Sequence, residues 1–141
     1  MNSFHLNRFG LINFWYHGDT VFEFSNGRLF VRGANGSGKS VSTTMAVPLL
    51  LDGDKRPSRL DPFGSQDRRM IDLLLGNKHV SKREEGTGYL YMEYRKGNNF
   101  TTVGIGLNGK RRRATTLCVR GILFFVTSVL GTTWSCMMKK L

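Results

Sequence analysis

Residues 28–40 read RLFVRGANGSGKS, a short apolar run followed by Gly33, Ala34, Asn35, Gly36, Ser37, Gly38, Lys39 and Ser40. The spacing Gly33-x-x-x-x-Gly38-Lys39-Ser40 is that of a Walker A phosphate-binding loop, and each position has a physical task. Gly33, Gly36 and Gly38 let the backbone turn tightly with no Cβ in the way of a phosphate. Successive amide N–H groups can then point inward as an anion nest. Lys39 can reach the β- and γ-phosphates, and the Ser40 hydroxyl can join a Mg²⁺ shell. A glycine-rich turn that happens to carry Lys-Ser is the bland alternative. The context favours the loop, because RLFVR reads as a strand and VSTTMAVPLLL (residues 41–51) opens as a helix that Pro48 should kink or end.

Upstream, residues 4–16 are rich in aliphatic and aromatic side chains and predict a strand. TVFEF (residues 20–24), Ser25-Asn26-Gly27 and RLFVR together predict a hairpin. Downstream, residues 52–65 (DGDKRPSRLDPFGS) are dense in turn formers and predict an irregular loop. Residues 67–75 predict a short helix. TGYLYMEYR (residues 87–95) and FTTVGIGL (residues 100–107), joined by KGNN, predict a second hairpin. The alternation of Tyr89 and Tyr91 with Leu90 and Met92 reads as the two faces of a strand, with core packing favoured over a stacking platform.

The charge is lopsided. There are 21 Lys and Arg against 10 Asp and Glu, a net of +11, and no acid follows Glu93. That surplus suits polyanions such as nucleic acid or anionic lipid, and equally a solvated surface. The basic run Lys110, Arg111, Arg112 and Arg113 is a candidate grip on a nucleic-acid backbone or an exposed loop. Lys55, Arg56 and Arg59 read as solvated loop charges in preference to phosphate contacts. His5, His17 and His79 are scattered, without ligand or catalytic spacing. Cys118 and Cys136 fit no metal spacing and read as reduced thiols of a cytoplasmic protein. The beginning MNSFHLNRFG lacks the pattern of a signal peptide. The longest apolar stretch, residues 121–130, is well short of the roughly 20 residues a membrane helix needs.

FGLINFWYHGDTVFEFSNGRLFVRGANGSGKS resembles the N-terminal ATPase-head segment of the SMC-like superfamily, in which a strand and a hairpin lead into a G-x-N-G-x-G-K-S loop. Asn35-Gly36 supplies that class's N-G pair. The longer stretch through LLLDGDKRPSRLDPFGS, TGYLYMEYR and VGIGL is similar to the large ATPases of bacterial condensin-type and Wadjet-type plasmid-defence systems. The resemblance covers roughly residues 4–128. It implies an α/β fold, an incomplete N-terminal lobe of an ABC/SMC-type P-loop NTPase head, with antiparallel hairpins flanking the P-loop strand–helix unit. It implies ATP and Mg²⁺ as cofactors, held by residues 33–40, and DNA, a second ATPase head and accessory subunits as partners of the full-length protein.

Val41 departs from the hydroxyl residue such heads often place there. The family's Walker B acids, signature motif and coiled coil have no match, and Gln66 cannot be placed in a Q-loop. The resemblance therefore implies nucleotide binding without hydrolysis by this chain alone. The rivals are a compact P-loop kinase or GTPase, which would need a later strand ending in Asp, and a basic module that binds nucleic acid without catalysis.

Residues 129–141 resemble nothing in the family, and TTWSCMMKKL fits neither helix nor strand. The single-codon residues Trp134, Met137 and Met138 make the underlying bases partly readable. Regrouped one base earlier, with Ser135 as AGY, they encode an acidic, alternating string. A shifted frame, with residues from about Val129 onward poorly ordered, is the expectation, and a natural but divergent tail is the alternative.

Overall fold

The computed structural model describes residues 3–46, 53–54, 56–60, 69–76, 83–110, 118–129 and 135–140. Six strands form one sheet: β1 (His5–Phe14), β2 (His17–Glu23), β3 (Glu85–Lys96), β4 (Asn99–Lys110), β5 (Cys118–Val129) and β6 (Ser135–Lys140). Their order across the sheet is β2-β1-β3-β4-β5-β6, and every neighbouring pair is antiparallel. Among the described residues, three short helices, α1 (Lys39–Thr44), α2 (Pro57–Leu60) and α3 (Met70–Leu75), lie between β2 and β3 in the chain.

This corrects the predicted α/β P-loop NTPase lobe. Parallel strands need long crossovers, usually helical, between neighbours in the sheet. Here β1–β2 and β3–β4 are two-residue hairpins, and the helices form a single insertion that packs on the sheet. Residues 28–32, predicted to be a strand, carry only an isolated bridge between Ser25 and Arg28. The Asn26-Gly27 turn does form, with φ of 51° and 73° and reciprocal Ser25–Arg28 backbone bonds of 2.9 and 3.0 Å. Its second arm then leaves the sheet. The partner of β2 is β1, paired from Arg8↔Glu23 to Phe14↔His17 around a turn of Trp15 and Tyr16. Trp15 has φ of 52°, uncommon for a bulky residue, and its N–H donates to Leu73 O at 2.6 Å.

The second hairpin forms as predicted, and longer. β3 and β4 pair from Glu85↔Lys110 to Lys96↔Asn99, with Gly97 at φ of 59° in the turn. Alternation decides its faces. Leu90 and Met92 are buried with Phe9, Leu11, Phe14, Ile105 and Leu107. α3 lays Ile71, Leu74 and Leu75 on this side. It comes close because Gly88 and Gly109 have no side chain. A Cβ on Gly88 would stand 2.7 Å from the Phe14 ring and 2.8 Å from Leu74, and one on Gly109 would stand 2.8 Å from Ile71. Each fully buried Leu or Phe contributes about 1.5–3 kcal/mol relative to exposure.

Tyr89 and Tyr91 lie on the opposite face, and Tyr89 is exposed. The two-face reading of β3 therefore holds, whereas core packing fails for Tyr89. On that same face a bulge between Leu6 and Arg8 turns both Asn7 and Arg8 toward Glu93. Asn7 Nδ2 donates to Glu93 Oε1 and Arg8 Nη2 to Oε2, each at 2.7 Å. The bond to Glu93 raises the Arg8 pKa above its ordinary value.

Two further expectations change. The loop predicted at residues 52–65 contains α2, whose Leu60 is fully buried. Ser135–Lys140, expected to fit no element, pairs with β5 as β6, with Cys136 opposite Val126 and Met138 opposite Phe124. Pro48 and Gln66 lie outside the described residues. Among the described residues no helix is long and apolar enough to cross a membrane.

Candidate phosphate-binding site

The chain reaches the glycine-rich loop from the end of β2. Phe24 N–H donates to Asn7 O at 2.9 Å, the Asn26-Gly27 turn follows, and residues 29–33 run outward with Phe30 90% exposed. A turn closed by Ser37 N–H on Ala34 O, at 3.2 Å, then shapes the loop. Gly36 and Gly38 have φ of 82° and 85°, in the left-handed region where a side chain is disfavoured. Gly33 is needed sterically as well, since a Cβ there would lie 2.6 Å from Ser37 Oγ. These three are the glycines that the motif assigns to the backbone.

Gly38 caps α1 without a side-chain cap, and Lys39 and Ser40 are its first two residues. Lys39 Nζ folds back over the loop and donates to Gly33 O at 2.6 Å and Ala34 O at 2.7 Å. The ammonium group thus sits across the loop from which the amides would have to bind an anion. Ser40 is exposed. The hydroxyls of Thr43 and Thr44 both donate to the Ser40 carbonyl, and Thr43 also donates to Lys39 O at 3.0 Å. Val41, the departure from the expected hydroxyl, packs against the core. Exchanging it for a hydroxyl would give up that packing.

The structure adds a residue that sequence spacing dismissed. His17, the first residue of β2, has Nε2 2.9 Å from Ser42 Oγ and Nδ1 3.1 Å from Thr20 Oγ1. Ser42 Oγ in turn donates to Gly38 O at 3.2 Å. His17 therefore ties the helix behind the loop to the sheet. Partial burial, with the Phe22 ring edge-on at 6.0 Å, lowers its pKa below 6.5. No local pattern announces this role, because the two partners are 25 residues apart.

A histidine whose folded-state pKa is lowered binds fewer protons folded than unfolded, so stability rises with pH across the window below and around 6.5. The stability of wild type relative to His17→Gln is expected to increase as pH goes from about 5 to about 8. Urea denaturation at several pH values measures it, and a difference independent of pH would contradict the assignment.

The other candidates separate from the loop. Lys110 ends β4 and pairs with Glu85 at 3.1 Å, while Arg111, Arg112 and Arg113 lie outside the described residues. Arg56 and Arg59 engage Asp54, at 2.6 and 3.9 Å, and hydrogen bonds from Arg56 lower the Asp54 pKa to about 2. These arginines are thus paired charges. His5 is exposed on β1, and Lys55 and His79 lie outside the described residues. Among the described residues, no three His, Cys, Asp or Glu side chains cluster as a metal site. No protein-family model matches the chain, and no curated protein matches it.

Proposed function

We propose that residues 33–40 bind the phosphates of ATP with Mg²⁺, and that this chain is a nucleotide-binding part of a DNA-handling ATPase of the SMC-like kind. The observation that carries the nucleotide reading is Lys39 Nζ lying across the Gly33 and Ala34 carbonyls, beside glycines in left-handed torsions. A phosphate at this place would meet loop amides and an ammonium group together, which is the chemistry of a triphosphate cradle. Ser40, exposed at the next position, is the residue for Mg²⁺. The DNA and second-head parts of the reading rest on the sequence resemblance and on the net charge of +11.

Such a site depends on the β- and γ-phosphates. Titration with Mg-ATP and with AMP, followed by thermal shift, should show ATP binding and little response to AMP. Equal binding of the two would refute a phosphate cradle. Hydrolysis needs carboxylate support for Mg²⁺ and a positioned water as well as the loop, so ATP turnover by this chain alone should stay at background.

A further inference from the structure

We infer that this chain self-associates by strand exchange, residues 28–32 of one copy pairing antiparallel with the free edge of β2 in a second copy. The inference rests on the sheet edge and does not depend on the phosphate-loop reading. β2 is the outermost strand and pairs with β1, so among the described residues its other edge has no ladder partner. Such a row of backbone donors and acceptors is a template for another strand. RLFVR is a strand-like segment outside the sheet. It alternates exposed Arg28, Phe30 and Arg32 with partly buried Leu29 and Val31. Phe30 is 90% exposed, and Val21 on β2 is 43% exposed.

The two segments are complementary. On β2, Asp19, Val21 and Glu23 are exposed, and Thr20 and Phe22 between them are partly buried. Laid antiparallel with Phe30 opposite Val21, the arm sets Arg32 opposite Asp19 and Arg28 opposite Glu23. On the other face Leu29 falls opposite Phe22, and Val31 opposite Thr20. Both exposed acids thus meet arginines, and the two exposed apolar side chains meet each other. Asp19, Glu23, Arg28 and Arg32 make no ion pair among the described residues. Arg8, which stands opposite Glu23 on β1, directs its guanidinium to Glu93.

Within one copy this match is out of reach. The tight Asn26-Gly27 turn fixes Ser25 opposite Arg28. Continued along the chain, that register sets Glu23 opposite Phe30 and Val21 opposite Arg32, a charge against an apolar side chain both times. The matching register is shifted by two residues, and the reciprocal Ser25–Arg28 bonds of 2.9 and 3.0 Å hold the turn against that shift. The arm leaves the sheet instead. A second copy is free of the tether and can dock in the matched register. Two copies satisfy both pairings at once around a two-fold axis. Main-chain bonds then provide affinity, and the alternate side chains fix the register.

Sedimentation velocity without nucleotide reads the association. Wild type should pass from monomer to dimer across the micromolar range. Asp19→Lys with Glu23→Lys makes edge and arm both basic, and Arg28→Glu with Arg32→Glu makes both acidic. Each double variant alone should associate at least roughly 10-fold more weakly than wild type. Mixed, the two should form a heterodimer, because a basic element meets an acidic one in both pairings. A variant carrying all four changes should dimerise like wild type. Phe30→Ala keeps every charge and should weaken the dimer roughly 10-fold, as loss of a central aromatic anchor does. It reads the same contact if a charge variant fails to fold, which circular dichroism checks. A wild type that stays monomeric overturns the proposal. So does a dimer that Phe30→Ala and both double variants leave unchanged, or a mixture of folded double variants that does not associate.

Discussion

Replacing Lys39 by alanine is expected to weaken Mg-ATP binding by roughly 10- to 100-fold, the equivalent of one charge-assisted hydrogen-bond set. The loop glycines would still present their amides, but the ammonium group now seated 2.6 and 2.7 Å from the Gly33 and Ala34 carbonyls would be gone. The Lys39 bonds are exposed, so stability should change by no more than about 0.5 kcal/mol. That separation makes the result readable. Isothermal titration of both proteins provides the affinity, and a melt of each without nucleotide provides the control. Indistinguishable affinities would remove residues 33–40 as a nucleotide site whatever the spelling of the motif.

The second large effect concerns the sheet. Leu90→Ala should destabilise the protein by about 2–5 kcal/mol, while Tyr89→Ala, one residue away, should cost about 1 kcal/mol or less. Leu90 is fully buried between Leu11 on β1 and Ile105 on β4, whereas Tyr89 belongs to the open face. A slip of one residue in register would exchange the faces and reverse the order of the two effects. Urea unfolding of both variants therefore tests the β1–β3–β4 register as well as the burial. If Tyr89→Ala were the more damaging change, the assignment of faces would be wrong.

Much of the local structure was legible in the sequence. KGNN between two strand-like runs is turn chemistry, and β3 and β4 pair around it as the expected hairpin. Gly36 and Gly38 adopt the left-handed torsions that the phosphate-loop spacing demands. The Asn26-Gly27 turn also forms. Other elements misled. RLFVR has the composition of a strand, yet although β2 at the sheet edge has a free side, the chain forms only the Ser25–Arg28 bridge before it turns away. The Trp15–Tyr16 turn between β1 and β2 has no turn formers at all. It is held by a backbone bond to Leu73 in α3.

What the sequence by itself determined, then, was whatever is settled within a few residues: the period of β3 and β4, the glycine torsions of the loop, and the positive charge of the chain. The tertiary structure alone decided the antiparallel order β2-β1-β3-β4-β5-β6, the seating of α3 over Gly88 and Gly109, the His17–Ser42 link and the exposure of Tyr89. The reason is physical. Alternation shows that a strand has two faces but is symmetric between them, and only packing from distant residues breaks that symmetry. Here α3, brought in between β2 and β3, covers the Leu90 side, and among the described residues Tyr89 on the other side stays exposed.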